Sequence, residues 1–369
     1  MKLCIERTTL LKSLAHMQSV VERRNTIPIL SNVLLNAETA TLALTATDLD
    51  LWMAENVEAS VEQEGGTTVP AQTLYDIVRK LPEGSQVELA DESDGRLLVR
   101  SGQSLFHLPC LDREDFPVVP TGDLPHRFNI GAAEFRRLLE KTRFAISTEE
   151  TRYYLTGVYL HAAEGDDMLR AVATDGHRLA RAEIPLPKGA GAMPGVIVPR
   201  KVVHESLRLT EGMDSEITVA LSDAKIRIEF DGAVMTSKLI DGTFPDYERV
   251  IPEGNDKRME VDARTLKAAI DRVSTVSTEK SRAVKVVLEK DKVVLSASSA
   301  ENASATDEVS VGYAAEPIEI GFNARYLMDI LNEIDGETAV FLLNDGVSPT
   351  VVRDSEDTSA LYVLMPMRV

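Results

Sequence analysis

The sequence predicts an α+β protein made of one architecture written three times. Three observations carry that reading. A short alternating run opens each third, an apolar stripe with four-residue spacing follows it, and antiparallel hairpin signals come after the stripe. A repeat of this kind is sought first, because missing it miscasts every element inside it.

The openings are Leu3-Cys4-Ile5, Phe128-Asn129-Ile130 and Met259-Glu260-Val261. Five residues after the last member of each stands Leu10, Phe135 or Leu266, and nine residues after it Leu14, Leu139 or Ile270. Residues four apart share a helix face, so each strand leads into a helix with one buried stripe. Strand pairs follow: 29–35 with 41–45, 157–161 with 168–173, and 285–289 with 292–296. Glu164-Gly165-Asp166-Asp167 and Lys290-Asp291 supply polar turns. A second helix theme then starts at Val69-Pro70-Ala71, Val198-Pro199-Arg200 and Phe322-Asn323-Ala324, and strands follow each. Phe116-Pro117, Phe244-Pro245 and Met365-Pro366 close the thirds, proline fitting strand termination. Each third is therefore two half-units of strand, helix and strands. The boundaries give domains at 1–122, 128–253 and 258–369. A stack of such units either closes on itself or exposes an edge.

The 369 residues exceed one ordinary core. Hydrophobic content of 44% and charged content of 27% are those of a globular protein. No apolar run approaches the ~20 residues of a membrane span. The strand-like start reads as no signal peptide, and two cysteines without ligand spacing read as a reducing cytoplasm. A net charge of −19 repels nucleic acid unless basic side chains are segregated on one surface.

Converging catalytic groups are scarce. No phosphate-binding glycine loop, nucleophile elbow or paired histidine spacing is present, so no cofactor or metal is expected. The sharpest local signal is Ala173-Thr174-Asp175-Gly176-His177-Arg178-Leu179-Ala180, echoed by Ala46-Thr47-Asp48-Leu49-Asp50. It reads as a tight turn with Asp bonding nearby amides, as a hydrolase pair of Asp175 and His177, or as a rigid loop framing a surface pocket. Arg136, Arg137, Lys141 and Arg143 fall opposite the Phe135–Leu139 stripe. Such faces are usually only solvated, yet basic residues recur on the equivalent helices and suggest a phosphate-attracting surface. Arg152-Tyr153-Tyr154 suits stacking or phosphate contact, or else core packing. The methionine-bearing C-terminus suits either core or an adaptable contact.

These residues, with Thr26-Ile27-Pro28-Ile29-Leu30, Val198-Pro199-Arg200-Lys201, Thr236-Ser237-Lys238-Leu239-Ile240-Asp241-Gly242, Phe244-Pro245-Asp246-Tyr247, Ile320-Gly321-Phe322-Asn323 and Met365-Pro366-Met367-Arg368, resemble the bacterial replicative sliding clamps along the whole chain. Those clamps are the beta subunits of DNA polymerase III. The resemblance implies three clamp domains per chain and half of a closed ring. It implies a head-to-tail homodimer around duplex DNA, with helices lining the hole. It also implies a non-enzymatic processivity factor, opened by an ATP-driven clamp loader. Its partners would be the replicative polymerase alpha subunit and other polymerases and repair proteins carrying short linear motifs. Carried over residue by residue, a peptide pocket would use Leu155, Thr174, Gly176, His177, Arg178, Leu179, Pro245, Arg249, Val250, Asn323, Tyr326, Val347, Val363, Met365, Pro366, Met367 and Arg368. DNA contacts would use Arg24, Arg152, Tyr153, Tyr154 and Lys201. Gln72 and Glu149 stand where relatives can carry Arg and Gln, a departure at two DNA contacts.

Overall fold

The computed structural model describes residues 1–22, 26–92, 94–119, 122–277, 282–299 and 303–368. Six α-helices lie among them: α1 (Arg7–Val20), α2 (Ala71–Lys80), α3 (Ala132–Arg143), α4 (Arg200–Leu209), α5 (Ala263–Ser274) and α6 (Ala324–Asn332). These are the six helices the repeat predicts. No described helix is long and apolar enough to cross a membrane.

The starts are set by local chemistry. Glu6 accepts from the Thr9 amide at 2.9 Å to cap α1. Asp262 accepts from Thr265 at 2.7 Å to cap α5, and Asn323 from Arg325 at 3.0 Å to cap α6. The other end of α2 is held from a distance in sequence. Arg7 donates to the carbonyls of Val78 at 3.1 Å and Arg79 at 2.7 Å. The buried stripes are Leu10, Leu14 and Met17 in α1 and Leu266, Ile270 and Val273 in α5.

The chain packs as two compact units. The first comprises Met1–Ala133, Pro187–Pro194 and His204–Leu239. It holds a five-stranded and an eight-stranded sheet. The second comprises Glu134–Leu186, Gly195–Val203 and Ile240–Val369. It holds an eight-stranded and a four-stranded sheet. All registered strand pairs are antiparallel, as the hairpin signals predict.

Each eight-stranded sheet is two four-stranded halves joined edge to edge. In the first unit, His126–Gly131, Glu216–Leu221, Lys225–Glu229 and Ala233–Lys238 continue into Leu51–Glu58, Thr41–Thr47, Asn32–Glu38 and Gly65–Pro70. The joint sets Met235 opposite Met53 and Thr236 opposite Trp52. In the second unit, Val196–Pro199, Gly157–Ala162, Met168–Thr174 and Arg178–Pro185 continue into Ala360–Leu364, Thr350–Asp354, Thr338–Leu343 and Lys257–Asp262. There Leu179 faces Val363 and Arg181 faces Leu361. Among the described residues the remaining halves have no such continuation. Ser104–Pro109 ends the five-stranded sheet and Ser304–Ser310 ends the four-stranded one. Within the repeat, Ser104–Pro109 corresponds to Ala233–Lys238 and Ala360–Leu364, and Ser304–Ser310 to Leu51–Glu58 and Arg178–Pro185. The two strands that form joints elsewhere are edges here.

Two local expectations are corrected. The strand expected at 29–35 begins at Asn32 rather than Ile29, because Pro28–Ser31 is a 3-10 turn. Proline has no N–H for a ladder and its fixed φ suits a helical start. In α3, Lys141 is not on a solvated face but buried. Its Nζ donates to the Glu333 carbonyl at 2.5 Å and pairs with Asp335 at 2.8 Å. Three residues beyond Leu138, it lies only about 60° round the helix from the apolar stripe, so its stem packs inward. Arg136 pairs with Glu140 at 2.7 Å and Arg137 with Asp357.

The same corner gives a pH prediction. Burial raises the Glu333 carboxyl from 4.5 to about 6, although Lys141 and Arg143 oppose the rise. A carboxyl raised in the folded state binds protons there before it does when unfolded. Its cost to stability is therefore fully present above pH 6 and is relieved as pH falls toward 4.5. Glu333→Gln is expected to stabilise the protein by about 1–2 kcal/mol at pH 8 and to do nothing at pH 4. Urea unfolding at the two pH values tests this; an equal effect at both would reject it.

Candidate functional site

The Ala173–Ala180 stretch is a hairpin corner between Met168–Thr174 and Arg178–Pro185. Asp175 Oδ1 accepts from the amides of His177 at 2.9 Å and Arg178 at 3.0 Å, and Oδ2 from Arg178 Nε at 3.1 Å. Thr174 Oγ1 donates to the Arg178 carbonyl at 2.7 Å and accepts from the Gly176 amide at 3.1 Å. Gly176 sits at φ +88°, and a Cβ there would stand 2.7 Å from Arg152 Nη1. Only glycine takes that angle without cost. Both oxygens of Asp175 thus serve the turn, and the His177 ring stacks on Tyr326 with centroids 6.2 Å apart. The geometry is that of a rigid loop, not of an acid–base pair.

Arg178 is the centre of this corner. It is buried. Besides Asp175, its guanidinium donates to Asp329 Oδ2 of α6 at 2.5 Å and to the Phe144 carbonyl at 2.7 Å. It also lies 4.4 Å from the Tyr326 ring centroid and 5.1 Å from that of Phe144. Charge pairing, a fork of hydrogen bonds and two aromatic faces hold one side chain from five directions.

The opposite face of the sheet is apolar. Leu155, Val172, Leu179, Ile197, Phe244, Tyr247, Leu361 and Val363 form one buried cluster, with Tyr154, Tyr159, Ile240 and Ile251 packed against it. Tyr159 stacks on Phe244 at 4.8 Å and on His161 at 4.7 Å, and His161 Nε2 meets the Tyr247 hydroxyl at 3.0 Å. Burial holds the His161 ring below its ordinary pKa. The same unit carries exposed apolar groups at its surface: Val250, Val347, Met365 and Met367. Pro245 and Arg249 are also exposed, Arg249 pairing with Asp246 at 2.6 Å.

The C-terminal strand ends at Leu364. Beyond it the Met365 amide donates to the His177 carbonyl at 3.0 Å and the Met367 amide to Gly321 at 2.8 Å. Pro366, Met367, Arg368 and Val347 line a shallow cavity of about 510 Å³ with Glu319, Ile320, Gly321 and Gly346. Asn323 is spent on capping α6, which fixes Tyr326 beside His177. Leu155, Leu179 and Val363 lie in the buried cluster, so they form a floor rather than an open wall.

The expected DNA residues are placed less uniformly. Arg24 lies outside the described residues. Arg152 is bound through Nε and Nη2 to Glu149 Oε2 at 2.8 and 2.6 Å. Tyr153 is exposed, and Tyr154 meets it edge-on at 5.7 Å while packing on the apolar cluster. Lys201 is half-buried in the first turn of α4. Gln72 Nε2 donates to Asp76 at 3.0 Å. Among the described residues no group of three or more His, Cys, Asp or Glu could hold a metal.

With this geometry in place, known proteins give a direct comparison. The N-terminal, central and C-terminal domains of the DNA polymerase III beta subunit match residues 1–120, 129–246 and 248–368. The chain belongs to the DNA polymerase III beta subunit family. The beta sliding clamp of Caulobacter vibrioides is 52% identical over 372 residues, with 100% of both chains covered. That of Escherichia coli K12 is 40% identical over 370 residues, again covering 100% of both. A crystal structure of the Caulobacter crescentus clamp with bound polyethylene glycol superimposes with a TM-score of 0.97 at 52% identity, covering 100% of this chain and 99% of that one. A Bartonella birtlesii clamp bound to griselimycin gives 0.97 at 47% identity, covering 100% of both. The family is a replication processivity factor and not an enzyme.

Within this beta-subunit chain, sequence reasoning missed the groups that brace the corner. Asp329 and Phe144 hold Arg178, and Tyr159 stacks on Phe244 in the apolar cluster that also holds Tyr247. Phe244 and Tyr247 stood in a quoted motif, and Tyr159 alternates along its strand, so a signal for core was present. Nothing local in the sequence joins Asp329 to Arg178, which are 151 residues apart.

Proposed function

We propose that this chain is a replicative sliding clamp that pairs head to tail with a second copy and encircles duplex DNA. One observation carries the reading. Half-unit joins half-unit through the same two strand positions in both eight-stranded sheets, and the strands at those positions in the smaller sheets, Ser104–Pro109 and Ser304–Ser310, are unpaired edges. An open edge is a template for pairing. Joining one copy's Ser104–Pro109 to the other's Ser304–Ser310 repeats the internal joint. The contact is heterologous, and two copies of three domains close it into a ring.

The ring holds DNA because the two are linked, so phosphate contacts stay weak and screened over a ~8 Å Debye length and permit sliding. Partners arrive as short peptides at the Thr174–Leu179 loop. Exposed Met365, Met367, Val347 and Val250 take apolar anchors, and the rigid Arg178 corner sets the wall. Methionine thioethers adapt to different side chains, which suits a site shared by polymerases and repair proteins. A clamp loader opens and closes the ring, and residues 1–122, 128–253 and 258–369 act as the three domains of each chain.

Retention on DNA is the test. Clamps loaded onto a nicked circular plasmid are expected to stay bound at 0.5 M salt and to leave when one restriction cut linearises it. Equal retention on both substrates rejects topological holding.

A further inference from the structure

The joint in the first unit carries a recess that the second unit fills. Trp52 lies opposite Thr236 across that joint, and Ala54 opposite Val234 on the same face of the sheet. These four line a cavity of about 440 Å³. Val119 and Leu124, from the segment that leads out of the first third, line it with them. The volume is that of a small ligand site, and these walls are mostly apolar.

The repeat accounts for the open space. Ala46-Thr47-Asp48 matches Ala173-Thr174-Asp175, which puts Trp52 where the second unit has Leu179. Their partners across the joints are Thr236 and Val363. Phe116-Pro117 matches Phe244-Pro245, which puts Val119 where the second unit has Tyr247. Tyr247 is buried in the apolar cluster there. A valine is too short to occupy the volume of a phenol ring.

One side of the recess is cationic. Arg227 lines it from the strand beside Thr236, where the second unit has Val351 beside Val363. Arg227 pairs with Glu229 at 3.2 Å, but that carboxylate also takes Arg127 at 3.0 Å. One acid therefore serves two guanidinium groups. Lys225, two residues along the same strand, lines the recess as well, and a Cβ on Gly122 would stand 3.4 Å from its Nζ. Arg227 and Trp52 are two strand spacings apart, about 10 Å between backbones. A ligand that meets both must carry an anion close to an apolar group.

We propose that this recess is a second binding site, and that it takes the C-terminal residue of a partner protein that ends in an apolar side chain. The side chain rests on Trp52, and the terminal carboxylate meets Arg227 and Lys225. At a chain end, carboxylate and side chain leave the same carbon. An acidic neighbour in an extended chain would point to the other side. The site does not depend on peptide docking at the second unit.

Trp52 is the one tryptophan of the protein, so its fluorescence reports on this cavity. The probe is Ac-Gly-Ser-Ala-Leu-Phe, prepared as the free acid and as the C-terminal amide, titrated into the full-length protein. The free acid is expected to give a saturable change in Trp52 emission and to bind about tenfold more tightly than the amide. Added salt should shrink that preference. Val119→Tyr, which copies the second unit, should abolish the response. Arg227→Gln should bring the acid-to-amide ratio toward one, and Glu229 keeps Arg127 in that variant. His177→Ala should leave the response intact, because that residue belongs to the second unit. Equal affinity of acid and amide overturns the proposal, as does no emission change with either. A response that survives Val119→Tyr places the peptide outside the recess and overturns it too. Hexanoate binding as tightly as the peptide acid assigns the recess to a free small acid and overturns the C-terminal reading. The acid-against-amide comparison on the unmodified protein decides the matter even if a variant folds poorly.

Discussion

Replacing Arg178 by alanine is expected to abolish peptide docking and to lower folding stability by about 3–5 kcal/mol. The size follows from what the side chain leaves behind. Asp175 and Asp329 would lose their cation, the Phe144 carbonyl its donor, and the Tyr326 and Phe144 rings the group between them. A buried pair broken from one side costs more than the pair contributes, because the remaining charge is uncompensated. Arg178→Lys keeps the charge but not the fork, and should recover part of the stability and little of the docking. Urea unfolding and peptide titration separate the two effects. His177→Ala, whose ring only stacks on Tyr326, should weaken docking with under about 1 kcal/mol lost in stability. Docking by Arg178→Ala within twofold of the unmodified protein would remove the Thr174–Leu179 loop from the site.

Leu105→Glu is expected to convert the dimer to monomer. Leu105 is exposed at 51% on the unpaired Ser104–Pro109 edge, and the Ser304–Ser310 edge proposed to meet it carries Asp307 and Glu308. The substitution brings a like charge to that contact and removes apolar area from it. A loss of about 1.4 kcal/mol raises the dimer dissociation constant tenfold. Sedimentation at micromolar concentration should show the shift, and retention on circular plasmid should be lost with it. A variant that stays dimeric would place the subunit contact elsewhere. Because Leu105 lies on a surface edge, the fold of the monomer should be unchanged, and the circular dichroism spectrum checks that.

How far the sequence could be read depended on whether the physics was local. Helices announced themselves, since a four-residue stripe such as Leu10 and Leu14 has one simple explanation. Hairpins did so too: Lys285–Glu289 with Lys292–Ser296 lies within the observed pair. The 3-10 turn at Pro28 and the buried Lys141 were misread because each sits at the border of a pattern, where one residue of register decides the outcome. The Asp175 turn was legible because an Asx turn is made by neighbours. The charge partner of Arg178 and the stacking of Tyr159 on Phe244 were not. Each depends on tertiary packing that brings together residues far apart in the chain. Family likeness supplied most of the candidate surface, and geometry supplied what braces it.

The repeated joint has one more implication. Inside the chain, each seam between sheet halves is backed by peptide continuity, so parting it leaves the pieces tethered and ready to rejoin. A seam between copies would use the same main-chain ladder without that tether. An opener acting evenly on every seam would therefore part the untethered one, between copies. Such a gate needs no special weak residue, only the absence of a covalent tether across it.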